Sequence, residues 1–299
     1  MLENDKLDRS VIDMYHQAET LGAGLPPLII AAERLAATVS QGVHGRRRIG
    51  QGETFWQFRR YEHGDSMRQI DWRRSARSDP LYVRESEWEA AQSVWLWRDS
   101  SPSMGFASTP KLERKVDRAT LLLLALAWLL VRGGERVSLL GADMSPASGR
   151  GEMLRLYSHL QKDKLPSTSV PSIEPLPRYS RLLLIGDFLG PLDDISQVIE
   201  AYRSRGVRGH LLQILDPAEG SLPYEGRALF EGFESEGEVL IPNVGSLRQN
   251  YRRELERHCN GLKSLAQGSG WSFANHYTDN SPSTALMAFY LQFSQSVAT

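Results

Sequence analysis

The sequence predicts an α/β fold built on a mainly parallel β-sheet with helices on both faces. Between residues 94 and 216, short apolar runs of strand length alternate with longer segments of helical periodicity. Strands that alternate with helices need crossover connections, which align neighbouring strands in parallel and cover both faces of the sheet. The predicted strands are Val94–Arg98, Arg136–Ala142, Arg181–Asp187 and His210–Asp216.

Helices are predicted where apolar residues recur three and four positions apart. One helix is expected within residues 7–20, before a break at residues 21–27 that contains glycines and prolines. The proline-containing stretch at residues 161–179 is expected to be a loop. The helices that connect and cover the strands are Leu28–Val39, Leu112–Val131, Gly151–Leu160 and Pro191–Arg205.

The C-terminal part continues the alternation after a predicted hairpin. The two strands of this hairpin are Ala228–Glu231 and Glu238–Ile241, joined by a glycine-containing turn. A long helix is expected over Ser246–Gln267 with a serine cap, followed by a strand at Trp271–Tyr277 and a helix at Ser283–Ser296. We therefore expect three regions: N-terminal helices at 1–40, an Arg/Gly-rich region at 41–86, and the α/β domain at 87–299 with a hairpin insertion near 227–242.

Bulk composition narrows the class of protein. The chain has 299 residues, of which 41% are hydrophobic and 24% charged, as in soluble globular proteins. A single cysteine, Cys259, excludes an intramolecular disulfide and favours a reducing, cytoplasmic compartment. The net charge of −1 argues against a general nucleic-acid binder. The longest apolar run, Leu121–Val131, is too short to cross a bilayer, and the N-terminus has no signal-peptide pattern, so we expect no membrane insertion.

The most informative short motif follows the first predicted strand. Asp99, Ser101 and Ser103 are spaced two residues apart, so in an extended segment their side chains point the same way. One carboxylate and two hydroxyls suit a hard dication such as Mg²⁺, which prefers oxygen ligands. A capped turn that opens the next helix is an alternative interpretation of the same residues.

This Asp-x-Ser-x-Ser spacing resembles the opening motif of the metal-ion-dependent adhesion site in von Willebrand factor A domains. The resemblance implies a site for Mg²⁺, or for Mn²⁺ or Ca²⁺, completed by a threonine from a second loop and an aspartate from a third. Asp187 matches the third position, since it ends a later strand. The second loop, residues 143–151, has no threonine and offers Ser145 and Ser148; we expect Ser148 to take this place. A domain that binds no metal and acts as a scaffold is the alternative.

The Arg/Gly-rich region has a second kind of chemistry. Its arginines are Arg46, Arg47, Arg48, Arg59, Arg60, Arg68, Arg73, Arg74, Arg77 and Arg84, and no lysine occurs among them. Arginine is preferred over lysine for bidentate pairing with carboxylates or phosphates. We therefore expect structural ion pairs or an acidic partner, with Arg59, Arg73 and Arg77 as partner-binding residues. Interleaved aromatic residues keep an Arg-mediated nucleic-acid binder as an alternative.

A longer pattern covers residues 45–104. It runs through Gly45-Arg-Arg-Arg-Ile-Gly50, Arg59-Arg-Tyr-Glu-His-Gly-Asp65, Arg68-Gln-Ile-Asp-Trp72 and Leu81-Tyr-Val-Arg84, and leads into the Asp99 motif. This ordered set resembles the bacterial family called domain of unknown function 58. Members of that family are commonly encoded beside MoxR-type AAA+ ATPases. The resemblance thus implies a non-catalytic interaction module, an adaptor of such an ATPase in a chaperone or assembly role.

An enzymatic function is the remaining alternative. An aspartate after a parallel strand could act in a metal-dependent phosphohydrolase, although Ser101 stands where such enzymes have a second carboxylate. The sequence has no Gly-x-x-x-x-Gly-Lys, Gly-x-Ser-x-Gly or His-Glu-x-x-His motif. These absences favour a protein that binds rather than one that catalyses.

Overall fold

The computed structural model describes residues 27–43, 55–60, 75, 81–86, 93–161, 169–233 and 237–295. The chain divides into two compact units, one of Met1–Gly45 with Gln92–Thr299 and the other of Arg46–Ala91. The helix predicted within residues 7–20 lies outside the described residues, as does part of the predicted loop at 161–179. The second predicted helix is confirmed as α1, Pro27–Val43.

The smaller unit contains an antiparallel pair of strands. Strand β1 is Phe55–Arg60 and strand β2 is Tyr82–Ser86, with Arg59 paired opposite Val83. The Tyr82 amide donates a hydrogen bond to the Ser75 hydroxyl at 2.9 Å, which ties the start of β2 to the segment before it.

The larger unit is organised around a five-stranded sheet. Its strands are β3 Ser93–Arg98, β4 Arg136–Leu139, β5 Arg181–Gly186, β6 Arg208–Leu215 and β9 Ser272–Tyr277. They lie in the order β4-β3-β5-β6-β9, and every neighbouring pair is parallel. The predicted α/β class with a mainly parallel sheet is therefore confirmed.

Six helices of the described part connect or follow these strands. They are α2 Lys115–Arg132, α3 Arg150–Gln161, α4 Leu192–Arg203, the short α5 Pro217–Ser221, α6 Val244–Gly268 and α7 Pro282–Gln295. The predicted hairpin is present as β7 Ala228–Glu231 and β8 Glu238–Ile241. Within the described residues, no helix combines the length and apolar composition needed to cross a membrane.

Helices cover both faces of the sheet, as the sequence predicts. Helix α2 packs with α1, α3 and α7 on one face, against inward residues such as Leu96 and Leu183. Helices α4 and α6 pack on the other face, against Trp97 and Leu182. Each fully buried leucine contributes about 1.5–3 kcal/mol relative to its exposed state. The apolar strands thus form two cores, one on each side of the sheet.

Three local features differ from the sequence-based expectations. Strand β4 ends at Leu139 rather than Ala142, because Gly141 turns the chain with a φ of +82°. Helix α6 begins two residues before Ser246, and its N-cap is Asn243; the Ser246 hydroxyl instead donates to the Asn243 carbonyl within the first turn. Helix α5 was not expected.

Candidate functional site at the carboxyl ends of the strands

The order of the strands creates a crevice between the carboxyl ends of β3 and β5. From β3 the chain crosses over to β4 on one side, whereas from β5 it continues to β6 on the other side. Ligands of open parallel sheets bind where the connections diverge in this way. Asp99 follows β3 directly and Asp187 follows β5 directly, so the two predicted carboxylates flank this crevice.

Asp99 is held by backbone hydrogen bonds on both sides. Its amide donates to the Ile185 carbonyl at 2.8 Å, and its Oδ1 accepts the Ser101 amide at 2.8 Å. The residue is fully buried. Gly186 leaves room for it, because a Cβ at position 186 would lie 2.8 Å from the Cβ of Asp99. The carboxylate is therefore pre-positioned by the two strands.

The two serines of the motif connect the β3 loop to Asp187. The hydroxyls of Ser101 and Ser103 lie 3.0 Å apart, and Ser103 Oγ donates to Asp187 Oδ2 at 2.7 Å. Ser103 stands in a short 3₁₀ turn, Pro102–Gly105, which is anchored by the buried side chain of Met104. The structure thus brings Ser101, Ser103 and Asp187 into one hydrogen-bonded chain, next to Asp99.

The backbone after β5 is strained where it turns away from the sheet. Phe188 has a φ of +46°, which is rare for a bulky residue. Its buried ring stacks on Trp97 at 6.3 Å, and its carbonyl lies 2.6 Å from His258 Nε2. These contacts hold the turn and so fix the direction of Asp187.

A lysine from helix α2 lies within the same cluster. Lys115 Nζ is 2.9 Å from Asp187 Oδ2 and 2.5 Å from Glu219 Oε1, and the side chain of Lys115 is fully buried. A cation at the first residue of a helix is disfavoured by the helix dipole. The two carboxylates offset this unfavourable position, so Lys115 depends on both of them.

The charge state of Lys115 follows from these contacts. Burial acts to lower its pKa, but the charges of Asp187 and Glu219 outweigh burial, and the pKa of Lys115 is raised above its ordinary value. Lys115 is therefore a permanent ammonium at physiological pH. Among the described residues, this ammonium is shared by the two carboxylates of Asp187 and Glu219, so these three side chains together carry an excess of negative charge.

Glu219 is positioned by the cap of helix α5. Asp216 accepts the Ala218 amide at 2.8 Å, and Glu219 accepts the Asp216 amide at 2.8 Å, which completes a capping box. The second carboxylate oxygen of Asp216 accepts the Ser108 amide at 2.9 Å. Asp216 therefore has a structural role, as a helix cap that also holds the loop after the 3₁₀ turn.

Ser148 is not brought to this cluster. Ala147 forms an antiparallel bridge with Val137, the second residue of β4, and Val137 is aligned with Val94 near the start of β3. The chain after β4 thus turns back toward the amino ends of the strands. Ser148 lies at that end of the sheet, opposite Asp99, and this corrects the expectation that it replaces the missing threonine.

The three predicted partner-binding arginines belong to residues 46–91, which form the smaller unit. Arg59 is part of β1 in the smaller unit. Arg73 and Arg77 lie outside the described residues. Their assignment remains a prediction.

The donor set suits a cation with oxygen ligands only in part. The two serine hydroxyls lead to the carboxylate of Asp187, while Asp99 contacts the Ser101 amide. Asp187 Oδ1 accepts only one long hydrogen bond among the described residues, from the Leu189 amide at 3.4 Å. The same part of the chain contains no group of three or more His, Cys, Asp or Glu side chains arranged to hold a metal ion. A metal here would therefore depend on the serine hydroxyls, and it would share Asp187 with Lys115.

Sequence reasoning missed two members of the cluster, Lys115 and Glu219. Glu219 had a detectable signal, because Asp216-Pro-Ala-Glu219 is a capping-box pattern with proline at the first helical position. The sequence signal for Lys115 was weaker, because it is only a cation at the start of an otherwise apolar segment. Neither signal by itself indicates that the two residues meet at Asp187.

The fold and the cluster define an α/β protein whose parallel sheet carries a buried network of carboxylates, hydroxyls and one ammonium at the carboxyl ends of its strands. The chain belongs to the family described as "Protein of unknown function DUF58", which it matches over residues 57–261. The family resemblance noted in the sequence is therefore confirmed.

The chain is similar in sequence to three uncharacterized proteins of mycobacteria. One from Mycobacterium bovis and two from strains of Mycobacterium tuberculosis are 28% identical over 277 residues, covering 87% of this chain and 85% of each relative. Among solved structures, the chain is similar to the conserved hypothetical protein BatB from Bacteroides thetaiotaomicron, with a TM-score of 0.37 and 15% identity over 70% of this chain and 100% of that chain. It is also similar to an aerotolerance-related membrane protein from Bacteroides fragilis, with a TM-score of 0.40 and 13% identity over 69% of this chain and 100% of that chain.

Proposed function

We propose that the larger unit is a von Willebrand factor A-like domain that acts as a non-catalytic protein-interaction module. In this proposal the cluster at the ends of β3 and β5 binds a divalent metal ion, Mg²⁺ or a similar dication. The module would act as an adaptor of a MoxR-type AAA+ ATPase in a chaperone or assembly role.

The observation that carries the proposal is the hydrogen bond from Ser103 Oγ to Asp187 Oδ2 at 2.7 Å. It joins two segments that are 84 residues apart in the chain. The Asp-x-Ser-x-Ser motif and the later aspartate therefore meet at the crevice where parallel sheets bind ligands. An adhesion-type metal site takes residues from three loops, and this hydrogen bond joins the first of them to the third.

In the part of the chain that the structure describes, the carboxylates of Asp187 and Glu219 outnumber the ammonium of Lys115, and this gives a physical reason for cation binding. Asp99, Ser101, Ser103 and Asp187 would be the protein ligands, and the metal would offer an open position to an acidic side chain of the partner protein. Lys115 would keep Asp187 charge-paired whether or not a metal is bound. Its presence predicts a weaker metal site than one with two uncompensated carboxylates.

The ATPase partner is proposed from the family resemblance, and co-purification tests it. The tagged chain would be mixed with a purified MoxR-type ATPase from the same organism, in Mg²⁺ or in EDTA. We expect retention in Mg²⁺, and loss in EDTA or with Ser101→Ala. Ser246→Ala, an exposed serine on α6, is the matched control and should behave as wild type. Equal retention in Mg²⁺ and EDTA would contradict a metal-dependent contact.

The enzymatic alternative is tested by comparing the wild-type chain with Asp99→Ala. Turnover of p-nitrophenyl phosphate in Mg²⁺, abolished in Asp99→Ala, would favour a phosphohydrolase over an interaction module. We expect no turnover above that of the Asp99→Ala variant.

A further inference from the structure

The β7–β8 hairpin exposes a face with both apolar and acidic side chains. Leu229 is paired opposite Leu240, and Glu231 opposite Glu238. Side chains two residues apart on a strand point to the same side, so these two pairs share one face of the hairpin. Leu229 is 58% exposed and Leu240 47% exposed. We call these four residues the hairpin face.

The hairpin is anchored on the body of the larger unit through aromatic contacts. Phe230, on the opposite face, packs edge-to-face on Tyr224 with ring centroids 5.8 Å apart. Phe233, beyond the end of β7, packs on Phe106 at 5.8 Å, and the ring of Phe106 lies 6.0 Å from Lys115 Nζ. The hairpin face is therefore held in a defined place near the candidate metal site.

In the isolated chain, the hairpin face places two negative charges opposite each other, which is unfavourable. Like charges directly opposite each other on neighbouring strands destabilise the pair, and Glu231 and Glu238 have this arrangement. None of the ion pairs among the described residues includes either glutamate. The intervening sequence adds Glu234 and Glu236. A partner that brings positive charge and apolar surface would neutralise the glutamates and cover the exposed leucines.

We propose that the hairpin face binds an extended segment of a partner protein in which an apolar side chain and a lysine or arginine lie two positions apart, and therefore on the same side of the segment. This separation of two positions matches the spacing of the leucine pair and the glutamate pair along the strands. Among the described residues no third strand pairs with β7 or β8, so such a segment can also join the outer edge of either strand through backbone hydrogen bonds. This surface is distinct from the proposed metal site, because it takes basic side chains and needs no metal.

The negative charge of the hairpin face disfavours other binding partners. Anionic membranes and nucleic acids would meet the repulsion of the glutamates. A second copy of this chain, docked by the same face, would bring two such glutamate pairs together. A basic, partly apolar protein segment is the occupant that the charges favour.

The test uses a fluorescent peptide of Leu-Thr-Lys-Thr repeats, which places leucine and lysine in turn on one side of an extended chain, titrated with the full chain and followed by fluorescence anisotropy. We expect binding that weakens at least about tenfold in Glu231→Gln/Glu238→Gln, through lost charge contacts, and in Leu229→Ser/Leu240→Ser. Leu154→Ser and Glu256→Gln, at exposed positions on α3 and α6, are matched controls and should bind as wild type. The same peptide with glutamate in place of lysine should not bind.

Four results would overturn the proposal. One is the absence of binding to wild type, and another is equal binding by wild type and both hairpin variants. The third is self-association of the wild-type chain in sedimentation experiments that Leu229→Ser/Leu240→Ser abolishes, since this would assign the face to a second copy. Peptide binding should be the same in Mg²⁺ and EDTA, which separates this surface from the proposed metal site; loss in EDTA would also contradict it.

Discussion

Lys115 Nζ lies 2.9 Å from Asp187 Oδ2, the same oxygen that accepts the Ser103 hydroxyl at 2.7 Å. The chain therefore supplies its own cation to a cluster whose sequence pattern resembles a metal site. This ammonium is shared with Glu219 and is fully buried. The stability of the metal-free protein and its affinity for a dication are thus coupled through one lysine.

Replacing Lys115 with methionine should strongly destabilise the metal-free protein. The change keeps an unbranched side chain of similar length but leaves Asp187 and Glu219 buried without their counterion. We expect a loss of about 3–5 kcal/mol in the free energy of unfolding, measured by urea denaturation in EDTA. Mg²⁺ should restore part of this loss, because it would compensate Asp187 in place of the ammonium.

Lys263→Met, at an exposed position of α6, is the control for the same chemical change. It should alter stability by less than about 0.5 kcal/mol. If Lys115→Met were no more destabilising than Lys263→Met, the ion pairs of Lys115 with Asp187 and Glu219 would not stabilise the folded protein.

Gly186 should not tolerate alanine. A Cβ at this position would lie 2.8 Å from Asp99 Cβ and 3.3 Å from the Phe188 ring, so β5 or the Asp99 loop must move. We expect destabilisation of about 1–3 kcal/mol in thermal or urea unfolding. Gly151→Ala, in α3, meets nothing within 4 Å and should leave stability unchanged or slightly raise it. A similar result for both substitutions would contradict tight packing around Asp99.

Stability should fall in mild acid because of His276. Burial, helped by the charge of Arg118, lowers the pKa of His276 to about 4 in the folded protein. The unfolded chain, with a pKa of about 6.5 for this residue, takes up the proton first as the pH falls. The contribution of neutral His276 is therefore complete above about pH 6.5 and is lost toward pH 4, with a limiting slope of about 1.4 kcal/mol per pH unit.

His276→Gln removes this titration but keeps an acceptor for Arg118, whose Nη1 lies 2.8 Å from His276 Nε2. The free energy of unfolding, measured in urea between pH 4 and 7, should then depend less steeply on pH. His210, whose pKa is also lowered to about 4 by burial, would account for part of the slope that remains. An unchanged slope in His276→Gln would show that His276 does not titrate as described.

The sequence predicts local features well and contacts between distant elements poorly. The apolar runs identified every strand of the parallel sheet, and the alternation with helices identified its parallel pairing. Asp99 and Asp187 could be placed at one edge because the carboxyl ends of parallel strands meet there. Lys115 could not be placed, since the helix it begins is apolar on nearly all sides and has no pattern that marks the face toward the crevice.

The misplacement of Ser148 has a related cause. The sequence indicates that a loop follows β4 but contains no signal for its direction. In the structure, the bridge between Val137 and Ala147 returns this loop along β4, toward the amino ends of the strands. A tertiary contact of this kind decides which serine is near the crevice.

The central claim is that Asp99 takes part in binding a divalent cation, and calorimetric titration of Mg²⁺ into the metal-free chain tests it most directly. Asp99→Asn keeps an oxygen that can accept the Ser101 amide but removes the charge, whereas Asp194→Asn changes an exposed carboxylate on α4. We predict saturable binding of one Mg²⁺ by wild type and Asp194→Asn, and no binding by Asp99→Asn. Equal heats in all three proteins, or no binding by wild type, would contradict the claim.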